Sequence, residues 1–152
     1  MYTVRQWSTR HAGTLETLYL GLSPWLFKLL LLLSRVSGKR LDGVITWFEK
    51  MLKGLLFDCK MCGECVLSST GMTCPMNCPK QMRNGPCGGV RADGCCEVKA
   101  QMPCVWVAAW KGSHRMRYGQ RIEELQFAVD RSRAGSSAWL ALARTHPSER
   151  QL

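Results

Sequence analysis

The residues best suited to chemistry in this chain are its cysteines, and all nine lie between Cys59 and Cys104 in a sequence of 152 residues. Thiols at this density form disulfides, bind zinc or hold iron–sulfur clusters. Disulfides fit poorly, because the number of cysteines is odd and the N-terminal residues lack the apolar run and cleavage site of a secretory signal. The sequence therefore predicts a cytoplasmic protein whose reduced thiols bind metal.

The spacing of the first three cysteines favours iron–sulfur chemistry. Cys59, Cys62 and Cys65 follow one another as C-x2-C-x2-C. Bacterial ferredoxins give three thiolates to a cubane cluster at this spacing, and a more distant cysteine that precedes proline is also a ligand. Two cysteines of this chain precede proline, Cys74 and Cys78. Zinc sites instead use paired C-x2-4-C units, so the triplet predicts at least one [4Fe-4S] cluster.

Two sites of four thiolates each would use all the cysteines but one. Cys95 is the expected spare, because it directly precedes Cys96 and adjacent residues rarely ligate one metal comfortably. Spacing leaves the pairing open; as one grouping we expect Cys59, Cys62, Cys65 and Cys78 on one cluster and the remaining ligands on a second. One cluster with one zinc, or two zinc sites, are the alternatives. The predicted ligands are Cys59, Cys62, Cys65, Cys74, Cys78, Cys87, Cys96 and Cys104.

Charge and the remaining polar residues indicate a partner protein rather than a catalyst. The formal net charge is +10, but no run of like charges marks a groove for nucleic acid, whereas a basic surface suits an acidic protein. The glycines from Gly85 to Gly89 lack the strand and helix that flank a phosphate-binding loop. Glu64, Asp93 and Glu97 lie near cysteines, where we expect turn or capping roles. No catalytic residue is predicted.

Hydrophobic patterns divide the chain into three predicted regions. A helical N-terminal arm covers residues 1–57, a Cys-rich iron–sulfur module covers 58–110, and a helical or extended tail for partner docking covers 111–152. The module is too poor in large aliphatic residues to bury much apolar area, so metals must help to hold it. The predicted fold is a small, irregular Cys-rich, metal-stabilised module with ferredoxin-like loops, flanked by α-helices and mainly α plus coil.

The N-terminal arm is predicted to contain two short helices before the module. Thr14–Leu22 is one, and Ser23 followed by Pro24 predicts the cap and the first residue of the next. The apolar run Trp25–Leu33 that follows is too short to span a membrane. We expect it to pack against protein, with membrane contact of the arm as the alternative.

A third helix leads directly into Cys59 and is expected to anchor the module through its apolar face. Leu41, Val44, Ile45, Phe48, Leu52, Leu55 and Leu56 share that face, and Asp42, Thr46, Glu49, Lys50 and Lys53 lie mostly opposite.

Fewer elements are predicted after the first cysteines. β-Bridges are expected near residues 96–98 and 105–107. Helices are expected over Gln120–Val129 and over Ser137–Arg144, the latter capped by Ser136 or Ser137. Residues from His146 onward are polar, and we expect them to fray.

Longer motifs in the chain resemble the methylenetetrahydrofolate reductase C-terminal domain family, over about residues 50–145. That family includes the Cys-rich small subunit of two-subunit, iron–sulfur methylenetetrahydrofolate reductases. The run from Arg83 to Gly89 is the most specific, and residues 1–40 carry no family signature. The motifs are Cys59-x-x-Cys62-Gly63-x-Cys65-x-Leu67, Cys74-Pro75-Met76-x-Cys78-Pro79-Lys80-x-x-Arg83-Asn84-Gly85-Pro86-Cys87-Gly88-Gly89, Gly94-x-Cys96-Glu97-Val98 and Cys104-Val105-Trp106.

The resemblance implies a non-catalytic subunit of an oxidoreductase complex in one-carbon metabolism. In such systems a separate (β/α)8-barrel subunit carries the flavin and binds the folate, and the Cys-rich subunit passes electrons to that flavin. All eight predicted ligands match family cysteines, which leaves Cys95 as the extra one. The expected partners are the flavin-containing reductase subunit and a ferredoxin or other electron donor. The alternative is a non-redox scaffold for a flavoprotein, shaped by zinc or an inert cluster.

Overall fold

Helices and irregular loops make up the protein, as a computed structural model that describes residues 2–37 and 40–144 shows. No β-strand forms in these ranges, and the pairing is confined to isolated bridges, Val90 with Cys96 and Cys95 with Pro103. The prediction of a mainly α plus coil fold is therefore confirmed. The helices are α1 (Tyr2–Arg10), α2 (Ala12–Ser37), α3 (Arg40–Phe57), α4 (Val105–Ser113) and α5 (Ala138–Arg144), with 3-10 turns at Pro75–Asn77, Gly119–Glu123 and Arg131–Arg133.

Helix α2 is continuous through Pro24, so the prediction that a new helix begins there is wrong. Proline cannot donate a hydrogen bond to the carbonyl four residues earlier, which here belongs to Leu20. The Ser23 hydroxyl donates to that Leu20 oxygen instead, at 3.4 Å. The helix thereby continues past its missing backbone bond.

Because α2 is continuous, it is longer than either of the two short helices predicted for this region. By length and composition alone, Ala12–Leu33 could cross a membrane, and little of this window is buried. The run Trp25–Leu33, which is too short to span by itself, is therefore part of a longer apolar helix. Core helices of soluble proteins and signal sequences have the same length and composition, so this finding assigns no location. Glu16 lies within the window, is buried, and accepts the backbone N–H groups of Arg117 and Tyr118 at 2.5 and 3.1 Å.

Helix α5 packs against α2 and closes one side of the molecule. Leu30 of α2 lies in a buried cluster with Trp139 and Leu140 of α5. The Ser137 hydroxyl accepts the Leu140 N–H at 3.1 Å, an N-cap bond that confirms the predicted helix and one of its two candidate caps.

Helix α3 is only partly oriented as predicted: Ile45 of the predicted apolar face packs against the cluster formed with α5, but other members of that face point outward. Val44, Phe48 and Leu55 are each more than half exposed, whereas Glu49 and Lys53 are 1% and 5% exposed. The physical reason is that Glu49 and Lys53 bond to one another and that Glu49 also bonds to the start of α5. The helix exists where the sequence predicts it, but its polar side faces the cysteines.

Two later predictions are also corrected. Instead of a helix over Gln120–Val129, a short 3-10 turn is followed by extended chain. The Asn84 side chain holds the Gln126 backbone there, accepting its N–H and donating to its carbonyl at 2.7 Å each, which removes groups that a helix would use. Residues 105–107 begin α4 rather than form a bridge, while Cys96 does form one, with Val90. The predicted frayed end from His146 lies outside the described residues.

Candidate metal centre

Four cysteines line one pocket, at the point where the end of α3 meets the loop that follows it. These are Cys59, Cys62, Cys65 and Cys74, so Cys74 takes the place that the expected grouping gave to Cys78. Cys74 is buried in an apolar cluster that includes Leu67 and Met72, and Cys65 packs against the same cluster. The pocket is therefore a thiol-lined hollow with an apolar wall.

Backbone N–H groups point at two of these sulfurs. The Met61 N–H donates to Cys59 Sγ at 3.3 Å, and Met61 adopts a left-handed conformation with φ of 50°. The Met76 N–H bonds to the Cys74 sulfur. N–H···S bonds of this kind stabilise thiolate ligands and help to set the potential of iron–sulfur clusters.

The C-terminal segment covers the loop of the cysteine triplet. Gly63 has a φ of +80°, and a Cβ there would lie 2.3 Å from the Arg133 carbonyl oxygen. The Gly135 N–H donates to the Met61 carbonyl at 2.7 Å. Only glycine allows the chain to approach so closely, and the contact shields this side of the loop from solvent.

The pocket disfavours free thiolates in the absence of a compensating positive charge. Burial, followed by the neighbouring Cys59 side chain, raises the pKa of the Cys74 thiol to about 12. Burial also raises the pKa of Cys59, although the Met61 N–H opposes it. Bound metal ions reverse this preference, because they supply the positive charge that deprotonates coordinating thiols.

One buried cation already lies beside the thiols. The Lys53 ammonium group lines the pocket and donates to Glu49 at 2.5 Å. Burial by itself lowers the pKa of Lys53, but the neighbouring Cys65 and Glu49 side chains outweigh it and raise that pKa above its usual range. Lys53 therefore stays charged next to Cys65.

Glu49 connects this ion pair to α5. Its carboxylate accepts hydrogen bonds from the Ser137 hydroxyl and, at 3.3 Å, from the Trp139 N–H. Lys53 also lies over the Trp139 ring, 4.9 Å from its centroid. The sequence pattern placed Glu49 and Lys53 on the outer face; the one signal that could have found them is an acidic and a basic residue four apart, just before Cys59.

The other four predicted ligands lie in a second region, around the two β-bridges. Cys78 packs against Cys96 in a small buried cluster with Met102 and Val105. Cys87 is exposed, and Cys104 occupies the N-cap position of α4, where its side chain makes no capping hydrogen bond. Cys95 adjoins this region and lies in the bridge with Pro103.

The carboxylates near the cysteines have structural partners. Glu64 lies 3.6 Å from Arg83 and 3.7 Å from Arg133. Asp93 accepts the Cys95 N–H at 2.9 Å, in the turn role that was predicted. Glu97 pairs with Lys80, and its Oε1 lies 4.0 Å from Cys87 Sγ.

The donor set of the first pocket suits an iron–sulfur cluster. Four thiols, two N–H···S bonds and a buried ammonium group are the features that hold such clusters and tune them. Among the described side chains, no three of His, Cys, Asp or Glu converge closely enough to hold a single metal ion.

Comparison with known proteins assigns the chain to a family. No curated protein and no solved structure matches it. Residues 39–132 match the family described as methylene-tetrahydrofolate reductase C terminal, a range that includes α3, all nine cysteines and α4. This confirms the resemblance drawn from the cysteine motifs, although the match begins earlier and ends sooner than those motifs indicated. The chain belongs to the methylene-tetrahydrofolate reductase C-terminal family.

Proposed function

We propose that the chain is an iron–sulfur electron-transfer subunit of a methylenetetrahydrofolate reductase, and that it relays electrons to the flavin of a separate barrel subunit. Family membership supports the association with a reductase. The observation that carries the electron-transfer role is the pocket lined by four cysteines and a buried lysine. A redox centre benefits from a cation beside its ligands, because the cation favours the more negative, reduced state.

Each group in the pocket has a defined part in this function. Cys59, Cys62, Cys65 and Cys74 would hold one [4Fe-4S] cluster, and Cys78, Cys87, Cys96 and Cys104 would hold a second. Such clusters, when bound, supply one-electron transfer. The Met61 and Met76 N–H groups stabilise negative charge on two of the sulfurs.

Lys53 and the covering segment complete the environment of the first cluster. The Lys53 ammonium offsets the charge of the thiolates and favours the more negative, reduced state. The chain around Arg133 and Gly135 lies over the triplet loop and limits the access of water and oxygen.

Metal analysis of protein purified without oxygen tests the proposal. We expect about eight irons per chain for two clusters, a broad visible absorption, and bleaching by dithionite. Native co-purification should also recover a flavin-containing reductase subunit. A colourless protein with stoichiometric zinc would contradict the electron-transfer role and support the scaffold.

A further inference from the structure

Arg83 is a buried cation whose hydrogen-bonding capacity is largely unused. Its side chain is 12% exposed and lines the pocket together with the four cysteines. One terminal nitrogen, Nη2, lies 3.6 Å from Glu64 Oε2. The other two nitrogens, Nε and Nη1, are buried and have no hydrogen-bond partner among the described residues.

Two buried guanidinium nitrogens without an acceptor are costly. Each buried donor without an acceptor costs about 1–3 kcal/mol, and more when it belongs to a charged group. Natural structures leave few such groups, so an unsatisfied one needs an explanation. An acceptor that belongs in the pocket would remove the cost.

The nearest carboxylate is already shared. Glu64 also lies 3.7 Å from Arg133 and accepts the Asp130 N–H at 3.4 Å. It therefore divides one charge between two guanidinium groups and leaves the Arg83 Nε and Nη1 atoms without an acceptor. Unsatisfied donors on a cation favour an anionic occupant.

We propose that Arg83 donates its Nε–H and Nη1–H to the anionic group held by Cys59, Cys62, Cys65 and Cys74. This inference rests on the proposed function, in which that group is an iron–sulfur cluster with its thiolates. The planar fork of arginine holds these donors in fixed, diverging directions, so they reach separate acceptor atoms of one group, which a lysine cannot reproduce. Arg83 thereby positions the cluster and raises its reduction potential, because it favours the more negative state.

Arg83 also separates this pocket from open solvent. With Cys62 and Met76 it lines a second, wider groove, whose other residues include Lys60, Lys80 and Arg131. The guanidinium therefore lies in the wall between the first cluster and the groove. Its removal should open that wall to solvent as well as remove the hydrogen bonds.

Redox titration of the anaerobically purified chain tests the role of Arg83. At a solution potential fixed near the midpoint of the wild type, we expect Arg83→Gln to lower the ratio of reduced to oxidised first cluster about tenfold, because charge-assisted hydrogen bonds are lost. Arg83→Lys should fall between, since it keeps the charge without the fork. Arg131→Gln is the matched control: Arg131 lines only the groove and should titrate as the wild type does.

The outcomes separate this inference from the proposed function. Wild-type reduction of the iron-loaded Arg83→Gln protein would overturn the role of Arg83 and leave the electron-transfer proposal standing. If Arg83→Gln does not fold, the Arg83→Lys titration decides: a lowered ratio supports the role and an unchanged ratio contradicts it. If the wild type carries only zinc, the proposed function fails; faster zinc loss to a chelator from Arg83→Gln then supports Arg83 as a donor, and equal loss overturns it.

Discussion

Single cysteines differ sharply in what surrounds them, although the sequence presents them as one group. Cys74 is buried among apolar side chains and within the electrostatic reach of Cys59, Cys62 and Cys65. Cys95 sits at a bridge, and its backbone N–H is held by Asp93. The position of Cys74 beside three other thiols favours it as a ligand, and substitution of Cys74 and of Cys95 tests the difference through the iron that each variant retains.

We predict that Cys74→Ser loses about half of the bound iron, because one of two four-iron clusters loses a thiolate. Cys95→Ser is the matched control and should keep its full iron content, since the eight predicted ligands remain. Iron analysis of both variants after anaerobic purification measures the difference. Loss of iron from Cys95→Ser together with full iron in Cys96→Ser would show that the spare cysteine is wrongly assigned.

At the scale of elements, the buried ion pair of α3 explains why Glu49 and Lys53 point into the protein. Lys53 is bonded to Glu49, and Glu49 holds the first turn of α5 through the Trp139 N–H. Removing one partner of a buried ion pair leaves an uncompensated charge, which is far more costly than losing an exposed pair. The inward orientation of α3 therefore depends on both charges together.

We predict that Lys53→Met lowers the free energy of unfolding by about 3–5 kcal/mol, because Glu49 is then buried without its cation. The double variant Glu49→Gln/Lys53→Met should recover much of that loss, since glutamine can still accept from Ser137. Asp42→Asn, which removes the exposed pair with Arg144, should cost about 0–1 kcal/mol. Urea denaturation of the four proteins under nitrogen compares them; equal losses for Lys53→Met and Asp42→Asn would contradict the argument.

Hydrophobic periodicity located the helices of this chain but could not decide how they are oriented. It found α3 and α5, and the sequence chemistry of Ser137 gave a correct cap. It placed the whole apolar face of α3 inward because it takes apolar burial as the rule, and the buried Glu49–Lys53 pair is an exception to that rule. Pro24 was predicted to begin a new helix, but the hydrogen bond from the Ser23 hydroxyl to the Leu20 carbonyl, which forms only within the helix, allows α2 to continue.

The grouping of the cysteines around the pocket also could not be predicted from the sequence alone. Spacing groups Cys59, Cys62 and Cys65, but whether Cys74 or Cys78 lies in their pocket depends on how the chain folds back after the triplet. The hydrogen bond from the Met72 N–H to the Leu67 carbonyl, at 3.0 Å, closes a turn just before Cys74 and directs that residue into the first pocket. The spacing of the cysteines along the sequence does not reveal this turn.

At the scale of the whole molecule, the inward turn of α3 leaves a large apolar surface outside. Helices α2 and α3 pack against each other, and each carries an outer row of apolar side chains spaced three and four residues apart. Contiguous exposed apolar surface marks a site of interaction with a protein or a membrane, and three-four spacing is the pattern by which helices pack on one another. The rows, with every member more than half exposed, are Leu18, Leu22, Trp25, Leu29 and Leu32 on α2 and Val44, Phe48, Met51 and Leu55 on α3.

We predict that the isolated chain self-associates through these rows, because no partner covers them. Its weight-average mass in sedimentation experiments should rise with concentration, and Leu22→Lys/Leu29→Lys should move that rise to a concentration at least about tenfold higher. Both side chains are more than half exposed, so the charges should not disturb folding.

Leu125→Lys is the matched control, since Leu125 is 82% exposed but lies outside both helices, and it should associate as the wild type does. A wild type that sediments as a monomer at every concentration would contradict the prediction, and so would equal association of all three proteins.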